Sequence, residues 1–188
     1  MPKYREMTAS DNAAVAALVR DNLKKFNLDI PGTVYFDEGL DHLSDYYGND
    51  ERRYYVIEDD NGEVIGGIGY DRFEPMKDTA ELQKLYLTDS AKGSGLGYEM
   101  IDFIEDKMRE AGYKASYLET HNNLQAAIHI YELKYRIVTD SSEVDALNSL
   151  TRCAKMLNKN LTLFTIKLTL KDTDKIIGIF FYLEIIYK

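Results

Sequence analysis

Apolar positions recur at helical spacing soon after the chain begins. Val15, Leu18, Val19, Leu23 and Phe26 follow Thr8-Ala9-Ser10-Asp11, which offers a helix N-cap. Ahead of them, residues 4–7 read as a short first strand. Pro31-Gly32 interrupts the pattern, and a second helix is expected over residues 36–46, with Leu40 and Leu43 inward and Gly48-Asn49-Asp50 ending it. The period then changes. Residues 53–58 are β-rich, Asn61-Gly62 supplies a tight reversal, and residues 63–70 return as the partner strand. Gly66, Gly67 and Gly69 weaken that strand intrinsically, so a neighbouring group is expected to approach its backbone closely. Residues 79–87 form a further strand, in which Leu82, Lys84 and Tyr86 alternate with Glu81, Gln83, Leu85 and Leu87. A glycine-rich segment follows, then a helix with Met100, Ile101, Ile104, Met108 and Ala111 on one face and Gly112 as its C-cap. A strand over residues 114–120 and an amphipathic helix over residues 123–133 complete the legible pattern. The order predicts a mixed α/β fold without repeats or an interdomain linker.

Composition and charge act mainly by exclusion. The 188 residues are 45% hydrophobic and 29% charged, an ordinary globular balance. The apolar run over residues 176–186 is interrupted by Gly178 and Glu184 and falls short of the roughly 20 residues of a membrane helix. Residues 1–6 are polar, unlike a secretory signal. Cys153 is the only cysteine, which excludes an internal disulfide and a thiolate metal cluster. A cytoplasmic location and no membrane partner are therefore expected. A net charge of −9 argues against non-specific nucleic-acid binding and favours a cationic small molecule or a basic peptide segment as substrate.

The segment Lys92-Gly93-Ser94-Gly95-Leu96-Gly97 lies between a strand and a helix, which is a recipe for holding phosphates. Glycine frees the backbone to turn and removes the Cβ that would keep a ligand off the N–H groups. The helix start adds unpaired donors and a positive dipole end. No Walker string is present. A dinucleotide fingerprint needs Gly-x-Gly-x-x-Gly, whereas this loop is one residue tighter, although Glu119 lies about 20 residues on, where a ribose-binding acid would sit. The third candidate is a coenzyme A diphosphate site.

Residues 54–135 resemble the GNAT superfamily of N-acetyltransferases. That family's Gln/Arg-x-x-Gly-x-Gly/Ala signature is matched by Lys92-x-x-Gly95-x-Gly97, preceded by Ala80-Glu81-Leu82-Gln83-Lys84-Leu85-Tyr86-Leu87 and followed by the segment from Leu118 through Tyr131 to Glu132. Two departures stand out. Lysine at position 92 keeps the charge but loses the guanidinium fork, and Glu132-Leu133-Lys134-Tyr135 is shorter than the usual helix exit and lacks its glycine.

The resemblance implies a mostly antiparallel twisted sheet flanked by helices and splayed between its fourth and fifth strands. It also implies acetyl-CoA as cosubstrate. Lys92, Gly93, Ser94, Gly95, Leu96, Gly97 and Tyr98 would hold the diphosphate, and Leu85, Tyr86 and Leu87 would pair with the pantetheine arm. A backbone N–H near Leu87 would face the developing oxyanion. Tyr131 would protonate the departing thiolate and Glu81 would serve as base, directly or through water. Each has a plainer reading, Tyr131 as a core tyrosine and Glu81 as a solvated strand-edge carboxylate. Glu119 and His121 are alternates at the cleft mouth, and Asn123 either touches the coenzyme arm or caps the next helix. His42 and His129 are read as structural. Tyr35, Tyr46 and Tyr47 fall where similar proteins line the acceptor pocket.

The implied activity is transfer of an acetyl group to a primary amine, by direct attack, on a small molecule or a peptide. The alternatives are a non-catalytic acyl-CoA sensor or subunit and a dinucleotide-binding enzyme. The domain is expected over residues 1–140. Residues 136–140 suit a sixth strand, while residues 141–188 are atypical. Their alternating stretches 161–170 and 175–187 suit a hairpin that completes the sheet or pairs two subunits in a homodimer, and a shifted reading frame would account equally for their composition.

Overall fold

A computed structural model describes residues 2–121, 123–135 and 150–156. Strand β1 (Lys3–Glu6) leads through a 3₁₀ turn into helix α1 (Asn12–Lys25). The start of α1 is fixed by Asp11, whose carboxylate accepts the Thr8 N–H and hydroxyl and a forked pair of bonds from Arg5. These bonds hold the acid at about 2, below its ordinary 3.8, chiefly through Arg5. Arg5 also bonds Glu58, so the helix entry is tied to the sheet.

The expected second helix is broken. Residues Val34–Phe36 and Glu38–His42 form two 3₁₀ stretches and only Leu43–Tyr46 makes an α-turn, α2. Asp37 explains the break, since its extended backbone separates the two 3₁₀ pieces. Leu40 and Leu43 are nevertheless buried as the pattern requires.

Strands β2 (Arg53–Glu58) and β3 (Val64–Arg72) form the hairpin. Gly62 turns at φ +82, and Asp59 accepts the N–H groups of Asn61 and Glu63 through its side chain. Strand β4 (Thr79–Leu87) precedes α3 (Leu96–Glu110), β5 (Ala115–His121), α4 (Gln125–Tyr135) and β6 (Leu150–Met156). Helix α3 ends in a Schellman motif at Gly112, where the Gly112 N–H reaches Arg109 O and the Tyr113 N–H reaches Met108 O. The strand that completes the sheet lies at 150–156, a segment the sequence pattern did not mark. The expected strand at 136–140 and the hairpin over 161–187 lie outside the described residues.

The sheet runs β1-β2-β3-β4-β5-β6, antiparallel throughout except for the parallel pair β4–β5. One face carries α3 and α4 over a core that includes Ile68, Leu82, Met100, Ile104 and Leu118. The other carries α1 and α2 over Val15, Val19, Leu40, Leu43, Tyr54 and Val56.

Candidate functional site

Strand β4 is the axis of the site, and two irregularities define it. The first is on its β5 side. Pairing begins at Thr79 with Ala115 and stops at Glu81 with Tyr117, after which the strands part. The second is on its β3 side. Gly67 faces Tyr86 but Gly69 faces Gln83, so Lys84 and Leu85 together occupy the place opposite Ile68. This is a β-bulge, and Lys84 takes φ +49 within it, a conformation side chains rarely adopt.

The bulge has a brace. Tyr54 lies diagonally across β3, and its buried hydroxyl donates to Lys84 O at 2.8 Å. A Cβ on Gly67 would sit 2.5 Å from that hydroxyl oxygen, and one on Gly69 would sit 2.6 Å from the ring. The close approach expected of this strand is therefore the Tyr54 ring at Gly67 and Gly69, and the Leu87 side chain at Gly66. Burial raises the hydroxyl pKa well above the ordinary tyrosine range, so it stays a donor.

Beyond the bulge the register fixes where backbone groups point. The Thr88 N–H returns to Ile65 O, so Leu87, one residue earlier, directs its N–H and C=O toward the side that β5 has vacated. Its carbonyl is met there by the amide of Asn22, which also donates to Leu18 O. Asn22 is buried on the otherwise apolar face of α1, and that polar intrusion was a readable signal.

The loop after β4 separates its three glycines by task. Gly93 (φ +77) and Gly95 (φ +89) are left-handed and face open space. Gly97 has ordinary backbone, and a Cβ there would meet Ile130 Cδ1 of α4 at 3.0 Å. Among the described residues, the N–H groups of Gly93, Ser94, Gly95 and Gly97 carry no hydrogen bond. That of Lys92 is used by Thr88 O, that of Tyr98 by Gly95 O, and that of Leu96 lies 3.4 Å from Ser94 Oγ. A run of open donors at the start of a 15-residue helix, with no Cβ at Gly93 or Gly95, fits a diphosphate. The Lys92 ammonium lies beside it and is held by Asp89, which also binds Lys25. Both lysines pull the Asp89 carboxyl down to about 2, Lys25 most strongly.

Tyr131 is buried in the same cluster as Leu87 and Leu96, next to the contact of Ile130 with Gly97. Glu81 stands where β4 and β5 part and accepts the Gln83 amide at 2.8 Å; Gln83 in turn accepts the Tyr47 hydroxyl at 2.6 Å. Tyr47 is buried, and that burial pushes its hydroxyl pKa well up. Tyr46 bonds Asp71, while Tyr35 packs against the α1 face. Leu85 borders the α3 core and Tyr86 the α1 core. Asn123 lies two residues before α4, and its amide reaches Phe26 O at 3.2 Å, joining the turn before α4 to the residue that follows α1. In β5, Glu119 and His121 are paired with Arg152 and Leu150. His129 is exposed on α4. Among the described residues no group of histidine, cysteine or carboxylate side chains is arranged to hold a metal, and no helix is long and apolar enough to cross a membrane. Among the described residues the sheet has one parallel pair, β4–β5, where a dinucleotide domain requires a run of parallel strands.

Comparison with known proteins agrees with this geometry. A family model described as the acetyltransferase (GNAT) family matches residues 20–135. The uncharacterized N-acetyltransferase YjgM of Escherichia coli (strain K12) is 35% identical over 133 residues, covering 70% of this chain and 79% of that protein. A GNAT-family acetyltransferase of Staphylococcus aureus superposes with a TM-score of 0.69 at 15% identity, over 84% of this chain and 100% of its own. The PaiA N-acetyltransferase of Thermoplasma acidophilum, solved in complex with coenzyme A, gives 0.61 at 16%, over 81% and 98%.

Proposed function

The chain belongs to the GNAT family of acetyl-CoA-dependent acetyltransferases, and on that premise we propose that it acetylates a primary amine by direct attack at the gap between β4 and β5. One observation carries this reading. Among the described residues, the strand whose pairing with β5 ends at Glu81 runs straight into the loop of unpartnered N–H groups, so one continuous backbone track can hold a long, diphosphate-bearing thioester.

In this reading the N–H groups of Gly93, Ser94, Gly95 and Gly97 hold the diphosphate, with Lys92 beside them once it lets go of Asp89. Leu85 and Leu87 offer backbone groups to the pantetheine arm, and the Leu87 N–H faces the thioester oxygen as negative charge grows on it. Glu81 takes the proton that the attacking amine loses. Its bond from Gln83, itself bonded by Tyr47, supports it as an oriented acceptor. Tyr131 gives a proton to the departing thiolate; its burial beside Leu87 and Leu96 supports that role. Asn123 helps close the α1–α4 side of the track.

The test is thiol release from acetyl-CoA across a panel of primary amines, alongside calorimetric binding of coenzyme A. Amine-dependent release is expected. Coenzyme A binding without release from any amine would replace the enzyme with an acyl-CoA sensor, and absence of binding would remove the proposed track.

A further inference from the structure

Acetyl transfer as drawn above leaves Lys84 without a task. Its side chain is half-buried on the α1/α2 face, with the ammonium 5.8 Å from the centroid of the Tyr47 ring. No carboxylate among the described residues lies within ion-pairing distance of it, and no hydrogen bond satisfies it. Asp37, Glu81 and Asp71 stand farther off. Burial lowers the pKa of the amine, and those three acids only partly offset this. A lysine ammonium has three donors, and a ring face replaces little of the water they lose. Such a group is costly unless something supplies acceptors.

A second cation nearby is also under-used. Arg52 stacks over the Tyr46 ring at 4.3 Å, its Nε is buried without a hydrogen-bond partner, and its nearest acid, Asp71, is 3.8 Å away and already bonded by the Tyr46 hydroxyl. The rings of Tyr46 and Tyr47 meet edge to face at 5.0 Å, so both cations border one aromatic wall. Glu81 lies three residues from Lys84 on the same strand. From the point where pairing with β5 ends, this face of β4 thus carries a carboxylate at Glu81 and a cationic donor at Lys84.

We infer that the acceptor is an amino-acid-type molecule, whose amine is directed to Glu81 while its own carboxylate is paired by Lys84. This rests on the acetyltransferase reading above and names its substrate class. A diamine fits less well, because its second ammonium would meet Lys84 and Arg52 as like charges. The net charge of −9 pointed toward cationic acceptors; the local charges at the gap point toward zwitterions.

The experiment compares thiol release from acetyl-CoA with a panel of L-amino acids, their carboxamides and the corresponding decarboxylated amines, for the native chain, Lys84→Met and Lys84→Arg. The native chain should prefer the acids over their carboxamides by about tenfold to a hundredfold in kcat/KM, the range of one hydrogen bond to a charged group. In Lys84→Met that ratio should fall to about one, mainly through KM, and Lys84→Arg should restore part of it. Coenzyme A binding and thermal stability of each variant show that it is folded. Equal rates for acids and carboxamides, an undiminished preference in Lys84→Met, or turnover of the carboxylate-free amines alone would overturn this inference and leave the acetyltransferase reading intact. Bound coenzyme A with no turnover overturns both the zwitterion and catalysis, and no coenzyme A binding removes the entire scheme.

Discussion

The loop that follows β4 and the bulge within the strand are built by opposite means. In the loop the chain sheds side chains: Gly93 and Gly95 turn through left-handed backbone into open space, and what they present is N–H groups. At its bulge the chain crowds them. Lys84 is held in a similar left-handed conformation without being glycine, Tyr54 and the Tyr47 ring border it, and Tyr47 leads through Gln83 to Glu81. The first region suits a ligand recognised by its phosphates, identical wherever the same coenzyme is used. The second, where the acceptor is proposed to bind, is specified by side chains from separate stretches of the chain.

Four substitutions would break or sharpen this contrast. Tyr131→Phe should have the largest effect, lowering kcat on the order of a hundredfold, as for loss of a general acid, with coenzyme A affinity nearly unchanged; an unaltered kcat would make Tyr131 a packing residue. Gly95→Asp should weaken coenzyme A binding by roughly a hundredfold, combining about 1–2 kcal/mol of left-handed strain with a carboxylate facing the diphosphate. Unchanged affinity by calorimetry would count against the loop. Tyr54→Phe keeps the ring but removes the bond to Lys84 O, so it should cost about 1–2 kcal/mol in denaturant unfolding and reduce turnover more than coenzyme A binding. An equal effect on both would mean that the bulge serves the two regions alike. Gly97→Ala should do least. Its Cβ must displace only the flexible end of Ile130, at 3.0 Å, and alanine gains up to about 1 kcal/mol of helix propensity. Coenzyme A affinity within about twofold of native would separate this packing glycine from the turning ones.

The same contrast explains what could be read in advance. Helix α1, the β2–β3 hairpin, β4, α3, β5 and α4 were legible because periodicity and turn residues are local signals. The glycine loop was legible because its chemistry is confined to six adjacent residues. The broken 36–46 region was not, since Leu40 and Leu43 keep helical spacing whether the backbone between the turns is α or 3₁₀. The bulge and its brace escaped for a different reason: Tyr54, Gln83 and Lys84 meet through contacts between distant positions, and no one-dimensional pattern announces a bulge. Asn22 and the glycines of β3 were the visible traces. The first marked a polar group on an apolar face, and the second marked a ring that had yet to be identified.

One phenol occupying the space of two missing side chains also constrains how this protein can drift. Tyr54 cannot shrink without leaving a hollow under the bend, and Gly67 and Gly69 cannot grow while it remains. Changes at these three positions are acceptable only in concert, so a lineage adopting a new acceptor would be expected to vary the surrounding wall and inherit this trio intact.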